Sequence, residues 1–276
     1  MAEIHSFKHA AMATHFQARI ADQEKTYAAQ AAQAAFDLVD SLESCLSRFR
    51  PNSDIARLAH LEPGETMRVS EPAFDCLQVA KRMQQITGNA FCPTPAALKT
   101  QSALPQWDLQ PDEHSIRCTS GRLEFDLGAI GKGFALDRVA DVLHQWECPS
   151  FLLVSGGSSI LAGDPPRDAQ GWSCGLGDDN ASQRYFLRHV SLSGSGLAVK
   201  GTHILDPRTG LAALRQSRAW VLADTAAESD ALSTACMVLS ESELNQVLAQ
   251  NDTWLAFLET KDGAVPMGKR ALPMKD

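Results

Sequence analysis

Several stretches of the chain repeat apolar residues every three or four positions, as one face of an α-helix does. The longest is 24–47, where the face carries Ala28, Ala32, Ala35, Val39, Leu42 and Leu46. Pro51 provides a stop after it, and Ser240 with Glu243 forms a capping box before another helix. The pattern predicts helices over 24–47, 53–58, 70–87, a segment running past Leu143, 226–239 and 241–250.

Shorter stretches alternate apolar and polar residues or stay apolar for about five positions, which is typical of β-strands. They predict strands or hairpin arms within 4–20, 115–118, 123–127, 151–155, 185–193, 219–223 and 254–258. A loop and hairpin are expected over 163–183, and turns at 206–210 and 262–263. Because helices and strands alternate irregularly, we predict an α+β fold, and no linker divides residues 1–276.

One stretch combines a predicted strand, a glycine-rich loop and a helix. The strand 123–127 leads into glycines at 128, 131 and 133, and Lys132 lies among them. Free amide groups and the helix dipole can hold an anion at such a place. The spacing matches neither a P-loop nor a dinucleotide-binding loop. The glycines alone leave two interpretations open, an anion site or a tight turn.

A second candidate lies on the predicted helix 226–239. Asp230 and Thr234 are four residues apart, so their oxygens lie on one helix face. Such hard oxygen atoms suit Mg²⁺. Alternatively, the aspartate interacts with a helix dipole and the threonine bonds a backbone carbonyl. Without further context the pattern favours this structural explanation.

Composition and charge narrow the possible functions. Lys and Arg number 25 against 33 Asp and Glu, a net charge of −8, so a nucleic-acid surface is not expected. The seven cysteines are odd in number and none form a C-x-x-C pair, which favours reduced thiols in a reducing compartment. The first residues contain no signal-peptide or lipobox pattern, and no apolar run is long enough for a membrane span. We therefore predict a cytoplasmic protein.

Six stretches, taken in order and with their spacing, resemble the FAD:protein FMN transferases, the ApbE-type flavin transferases. The resemblance runs from Met12 to about Leu239. The stretches are Ala11-Met12-Ala13-Thr14, 46–53 (Leu-Ser-Arg-Phe-Arg-Pro-Asn-Ser), 88–94 (Gly-Asn-Ala-Phe-Cys-Pro-Thr), 126–133 (Asp-Leu-Gly-Ala-Ile-Gly-Lys-Gly), 203–210 (His-Ile-Leu-Asp-Pro-Arg-Thr-Gly) and 229–234 (Ser-Asp-Ala-Leu-Ser-Thr).

The resemblance implies a Mg²⁺-dependent enzyme that cleaves FAD, moves FMN onto a Thr or Ser hydroxyl of an acceptor flavoprotein, and releases AMP. It implies a two-lobed, T-fold-like α+β architecture of mixed or antiparallel sheet with packed helices. By position, Asp230, Thr234 and the Ala129 carbonyl correspond to the metal ligands. The corresponding FAD contacts are Met12, Phe49, Ala90, Phe91, Cys92, Asp126, Lys132 and Ile204. Because histidine titrates nearest neutrality, our hypothesis for the general base is His203.

Some positions depart from the family pattern. Phe49 stands where the family commonly has Tyr, Cys92 where it usually has Asp, and Ser158 where an Asp often follows the double glycine. The alternative to transfer is therefore an FAD-binding protein, or one that slowly hydrolyses FAD to FMN and AMP without a protein acceptor.

Overall fold

A computed structural model describes residues 3–95, 103–176, 183–196, 205–213 and 215–276. Its helices are α1 Lys25–Leu46, α2 Asp54–Leu58, α3 Glu71–Ile86, α4 Gly131–Gln145, α5 Ala226–Cys236 and α6 Glu241–Leu248. Each one lies within or close to a stretch predicted as helical. The side chain of Ser53 caps α2, and both hydrogen bonds of the Ser240–Glu243 capping box are present at α6. Within the described ranges, no helix is long and apolar enough to cross a membrane.

The described strands pair in an antiparallel manner throughout. They are β1 Ile4–Ala11, β2 Thr14–Ala21, β3 Thr66–Arg68, β4 Gln106–Gln110, β5 Ser115–Ser120, β6 Phe151–Ser155, β7 Ser159–Ala162, β8 Trp172–Gly175, β9 Arg184–Leu187, β10 Val190–Gly196, β11 Arg218–Ala223, β12 Leu255–Thr260 and β13 Gly263–Gly268. An eight-stranded sheet has the order β1-β2-β6-β7-β10-β11-β12-β13. Two smaller sheets have the orders β3-β5-β4 and β8-β9. The predicted α+β class is confirmed.

Both faces of the large sheet are covered, because successive side chains of a strand point to opposite faces. Val221 and Ala256 belong to the apolar core that also contains the buried faces of the helices. Leu222 and Phe257 belong to a second core, which they share with residues of the β8–β9 hairpin such as Tyr185. The sheet therefore separates a helical layer from a small β layer, and α4 and α5 lie in the helical layer.

The predicted strand over 123–127 is wrong as a sheet element, although its burial pattern is as expected. Leu123 and Phe125 are buried between less buried neighbours. However, the amide N–H groups of Glu124 and Phe125 donate to carbonyls two residues back, at 3.0 and 3.1 Å. These local bonds take the place of a neighbouring strand. The segment is extended and half-buried, but it joins no sheet in the described structure.

The predicted strand over 185–193 is two strands, β9 and β10. Leu187 pairs with Trp172 in the small sheet, whereas Val190 pairs with Ala162 in the large one. Between them His189 has a left-handed backbone, φ 47°, which turns the chain from one sheet to the other. The imperfect alternation of this stretch marks the change of sheet.

The sequence pattern also missed the strands β3, β4, β7 and β13. Three of them have only three to five residues, too few for a clear alternation. The edge strand β13 contains Pro266, and a proline within a run argues against a strand unless the strand lies at an edge.

Helices α4 and α5 approach each other closely because residue 133 is a glycine. A Cβ atom there would lie inside van der Waals distance of the Ala226 carbonyl and 2.8 Å from the Ala227 nitrogen. The obstacle is backbone, so no side chain can rotate out of the way. Gly133 therefore fixes the separation of the two helices.

We predict that Gly133→Ala lowers the free energy of unfolding by about 2–3 kcal/mol, as overpacking does. Gly131→Ala is the matched control, since its Cβ would meet only Leu127 at the ordinary distance of 3.6 Å. Its effect should stay within about 1 kcal/mol. Urea denaturation of both variants measures the difference. Equal stabilities of the two variants would contradict the close-packing argument.

Candidate active site

The carboxylate of Asp230 lies at the centre of the site, buried on α5 with 3% of the residue exposed. The Lys132 ammonium lies 3.3 Å from Oδ1 and 3.1 Å from Oδ2. The Ser159 hydroxyl donates to Oδ1 at 3.2 Å, and the backbone N–H of Gly133 donates to Oδ2 at 3.2 Å. Three donors from two other elements therefore converge on one buried carboxylate, which is charge-balanced by the lysine.

Thr234 lies one helical turn beyond Asp230, on the same face of α5. Its hydroxyl is 3.4 Å from the carbonyl oxygen of Asp230 and 3.3 Å from the Ser195 hydroxyl. The threonine thus bonds a backbone carbonyl, as the structural interpretation of this pair expects, whereas the aspartate bonds the first turn of α4 instead of the N-terminus of its own helix. With these contacts, the side chains of Asp230 and Thr234 still lie one turn apart on the same face of α5.

A row of serines on β10 holds α5 against the sheet. Ser193 pairs with Ser229 at 2.7 Å and Ser195 pairs with Ser233 at 2.9 Å, hydroxyl to hydroxyl. Ser191 donates to the carbonyls of residues 223 and 225. Alternate strand residues thereby contact successive turns of the helix. The Ser-x-Ser-x-Ser pattern of 191–195 is the sequence signal for this row.

Asp126 connects three of the six stretches that carry the family resemblance. Its Oδ1 accepts the N–H of Gly128 at 3.0 Å, and Oδ2 lies 3.4 Å from Nη2 of Arg48. Its backbone N–H donates to the carbonyl of Pro93 at 2.7 Å. The aspartate therefore organises the glycine loop and ties it to the segments after α1 and α3.

The amide groups of the glycine loop are largely occupied, which corrects the expectation of a free amide nest. Ile130 and Gly131 donate to the Leu127 carbonyl at 3.1 and 2.6 Å, while Gly128 donates to Asp126 and Gly133 to Asp230. These bonds form the tight turn that opens α4. Of the features predicted to attract an anion, the charge of Lys132 and the dipole of α4 remain.

A second glycine turn approaches Lys132 from the other side. Gly156 has φ +60°, and a Cβ there would lie 2.8 Å from the Thr14 hydroxyl and 3.8 Å from Lys132 Cδ. Thr14 follows a hairpin turn in which Met12 and Ala13 have φ values of 50° and 55°. A left-handed backbone without glycine is uncommon and is frequent at functional sites. The hairpin that contains Met12 thus reaches the lysine end of the site.

The side chains of the 88–94 stretch are buried. Ala90 and Phe91 are each 1% exposed and lie in the helical core, so they would meet a ligand through backbone atoms. The Cys92 thiol lies 3.5 Å from the Thr94 hydroxyl and 3.9 Å from the Gln84 amide nitrogen. Burial raises the pKa of this thiol. Cys92 is therefore a neutral group in the place where the family pattern has a carboxylate.

Phe49, in contrast, is 78% exposed at the turn after α1. The Arg48 guanidinium lies 4.5 Å from its ring centroid, and the same guanidinium pairs with Asp126. An exposed aromatic ring beside a bound arginine offers a flat surface for stacking. The contact of Phe49 with a flavin nucleotide stays a prediction.

Two predicted residues, His203 and Ile204, lie outside the described residues. The neighbouring turn at 206–210 is present, where Arg208 pairs with Asp206 at 2.9 Å and with Glu243 at 2.6 Å. Ala129 is described and lies in the turn before α4. Its neighbour Gly128 accepts from Lys132 through its carbonyl oxygen at 3.1 Å.

The oxygen atoms near Asp230, a carboxylate, hydroxyls and a backbone carbonyl, are of the kind that a hard divalent cation binds. Among the described residues no group of three or more His, Cys, Asp or Glu could hold a metal. However, Mg²⁺ is held by few carboxylates together with hydroxyl, carbonyl and water oxygens. The Lys132 ammonium, placed between the carboxylate and the Gly128 carbonyl, shows that oxygen atoms converge here around a positive charge. The residues therefore fit the ion that the sequence pattern implies.

The same architecture occurs in structures of flavin transferases. The flavin transferase ApbE from Vibrio cholerae superposes with a TM-score of 0.80 at 21% identity, covering 97% of each chain. The ApbE protein from Thermotoga maritima superposes with a TM-score of 0.81 at 20% identity. At these identities the likeness establishes the fold.

Sequence comparison identifies the family. The model of the ApbE family matches residues 12–258, so the chain belongs to this family. A curated relative, the FAD:protein FMN transferase of Klebsiella pneumoniae (strain 342), is 27% identical over 215 residues, which is 65% of this chain and 66% of that protein. The FAD:protein FMN transferase of Chlamydia muridarum (strain MoPn / Nigg) is 25% identical over 249 residues, 78% of this chain and 77% of that protein.

We predict strong coupling between Lys132 and Asp230. Lys132→Met leaves a buried carboxylate without its cation, so this single variant should be strongly destabilised. The double variant Lys132→Met/Asp230→Asn should lose less stability than the sum of the losses in the two single variants. Urea denaturation of the wild type, both single variants and the double variant, all free of divalent cations, measures the coupling. We expect about 1–3 kcal/mol. Additive effects would show that the two side chains do not interact in solution.

Proposed function

We propose that this protein is a Mg²⁺-dependent FAD:protein FMN transferase, which moves FMN from FAD to a Thr or Ser hydroxyl of an acceptor protein and releases AMP. The proposal rests on the ion pair of Lys132 and Asp230. Five of the six stretches that resemble the family come together around this pair. Thr14, Arg48, Pro93 and the 126–133 loop all lie within one chain of contacts that ends at this pair. The curated names of the relatives support the same reaction.

The chain supplies positive charge where the reaction develops negative charge. Cleaving the pyrophosphate leaves charge on the departing AMP oxygen, and fixed positive groups stabilise it. Lys132, at the first turn of α4, provides a full charge together with the helix dipole. We infer that the pyrophosphate binds beside its ammonium. The exposed Phe49 ring and the Met12 hairpin would then orient the nucleotide on either side.

Asp230, Thr234 and the Ala129 carbonyl would hold Mg²⁺. The ion, when bound, neutralises phosphate oxygens and acts as a Lewis acid. The role of the chain is to keep the Asp230 carboxylate fixed, and the Ser159 hydroxyl and the Gly133 amide do this by donating to one carboxylate oxygen each.

In the transfer itself, the acceptor hydroxyl oxygen forms a bond to the FMN phosphorus while the bond from that phosphorus to the bridging oxygen breaks. AMP leaves with the bridging oxygen, and the hydroxyl proton passes to a base. We propose His203 as that base, on the sequence alone. The acceptor must therefore approach from the side opposite to the leaving AMP, roughly in line.

We further propose that residues 1–276 act as one functional unit in a reducing cytoplasm. All seven cysteines are free and six are buried, which supports a compartment where thiols stay reduced. The partners would be FAD and an acceptor flavoprotein.

A second function is favoured by one observation. Cys92 is a buried, neutral thiol bonded to Thr94 where the family pattern has a carboxylate, so one polar contact of the site differs. The alternative is an FAD-binding protein, or a slow Mg²⁺-dependent pyrophosphatase that yields FMN and AMP with water as the acceptor.

We predict that Asp230→Asn abolishes Mg²⁺-dependent release of AMP from FAD, because the charge that holds the cation is removed. Asp37→Asn is the matched control, since Asp37 is an exposed aspartate of α1 that accepts from the Gln33 amide at 2.8 Å, and this variant should keep wild-type activity. The assay follows AMP by chromatography and flavin fluorescence on an added acceptor domain. AMP without labelled acceptor would indicate the pyrophosphatase, and full activity of Asp230→Asn would refute the metal assignment.

We expect His203→Gln to slow transfer by about 10²–10⁴-fold and to remove the acidic limb of its pH profile, as loss of a general base does. His189→Gln is the control, an exposed histidine in the β9–β10 turn that pairs with Asp164. Transfer rates of both variants between pH 5 and 9 provide the measurement. An unchanged rate for His203→Gln would remove it from this role.

A further inference from the structure

Each of the helices α4 and α5 carries an aspartate whose carboxylate accepts backbone N–H groups from the first turn of the other helix. Asp230 of α5 accepts the N–H of Gly133, the third residue of α4, at 3.2 Å. Asp137 of α4 in turn accepts the N–H groups of Ala226 at 2.7 Å and Ala227 at 2.9 Å, the first two residues of α5. Each carboxylate therefore lies at the positive end of the other helix's dipole.

Asp137 completes the N-terminus of α5. The first four N–H groups of a helix have no partner within it. In α5 these are the N–H groups of residues 225–228. The Thr225 hydroxyl accepts from Glu228 at 3.3 Å, and the two oxygens of Asp137 accept from Ala226 and Ala227. Without this side chain both would be left without their partner in a partly buried contact.

Together, these reciprocal hydrogen bonds link the first turns of the two helices. Gly133 and Asp137 are one turn apart on α4, and Ala226 and Asp230 are one turn apart on α5. Gly133 sets the separation against the Ala226 carbonyl, while the two carboxylates oppose sliding and rotation. A shift of α5 that breaks the Asp137 contacts would therefore also move Asp230 relative to Lys132.

We propose that Asp137 is a positioning residue of the active site, which holds α5 where Asp230 and Thr234 face the Lys132 loop and thereby sets the cation affinity of Asp230. It touches neither the cation nor the substrate. The proposal deepens the proposed function and rests on it for the identity of the cation, but the helix contact it describes is independent of any ligand.

Charged groups lie around Asp137 in a cavity that the start of α5 also borders, through Ala227. Asp137 lines this cavity of about 380 Å³ together with Arg82, Arg138, Asp141, His144, His189 and Asp224, from α3, α4 and the turns beside β10 and α5. Burial raises the pKa of Asp137 to about 7, and the two amide donors oppose that shift. Because an asparagine cannot ionise and has one acceptor oxygen, Asp137→Asn isolates the double acceptor without changing the volume of the side chain.

The first measurement is Mn²⁺ binding to the full chain, followed by electron paramagnetic resonance of the free ion. We expect Asp137→Asn to weaken binding about 3–10-fold and Asp137→Ala at least 10-fold, with wild-type circular dichroism. Asp141→Asn is the matched control, because Asp141 lies one turn further along α4, is exposed and pairs with Arg138 at 3.3 Å. Wild-type Mn²⁺ affinity in both Asp137 variants would overturn the proposal. If Asp137→Ala does not fold, Asp137→Asn alone decides.

The second measurement is amide hydrogen exchange without any metal. We expect Asp137→Asn to speed exchange in the first turn of α5 and also at Gly133, whose N–H donates to Asp230. Faster exchange in α5 alone would show a local cap and overturn the positioning role. Asp230→Asn with unchanged Mn²⁺ affinity would refute the metal assignment of the proposed function, and the exchange result would still decide whether Asp137 couples the helices.

Discussion

The site depends on one buried charge pair, Lys132 with Asp230. A carboxylate that is almost fully buried is costly unless cations and hydrogen-bond donors compensate it. Here the compensation comes from the lysine, a serine of β7 and an amide of α4, so three elements must be in place together. The close helix approach at Gly133, the serine row on β10 and the hairpin turn near Thr14 all serve to bring these groups to one point.

Much of this could be predicted from local sequence. The helices followed from apolar spacing, and the capping box at Ser240 fixed the start of α6. Asp230 and Thr234 were recognisable because their spacing places them on one helix face, whatever the fold. The glycine loop was recognisable too, but its chemistry was misjudged: the amide groups close the turn, and the Lys132 ammonium bonds the Asp230 carboxylate and the Gly128 carbonyl.

The rest depends on contacts that local patterns do not contain. Ser159 lies 71 residues from Asp230, and Asp137 lies 89 residues from Ala226. Nothing in the residues around either one indicates its partner. The segment 123–127 shows the complementary failure, because alternation predicts burial but cannot distinguish a strand from an extended segment that bonds to itself.

In the function that we propose, FAD is cleaved beside the Lys132–Asp230 pair. The most direct test is a crystal structure with FAD and Mn²⁺, using the anomalous signal of the metal. We expect a metal peak within coordination distance of the Asp230 carboxylate, and the FAD pyrophosphate beside the Lys132 ammonium. A metal peak elsewhere, or a pyrophosphate remote from Lys132, would contradict the proposal.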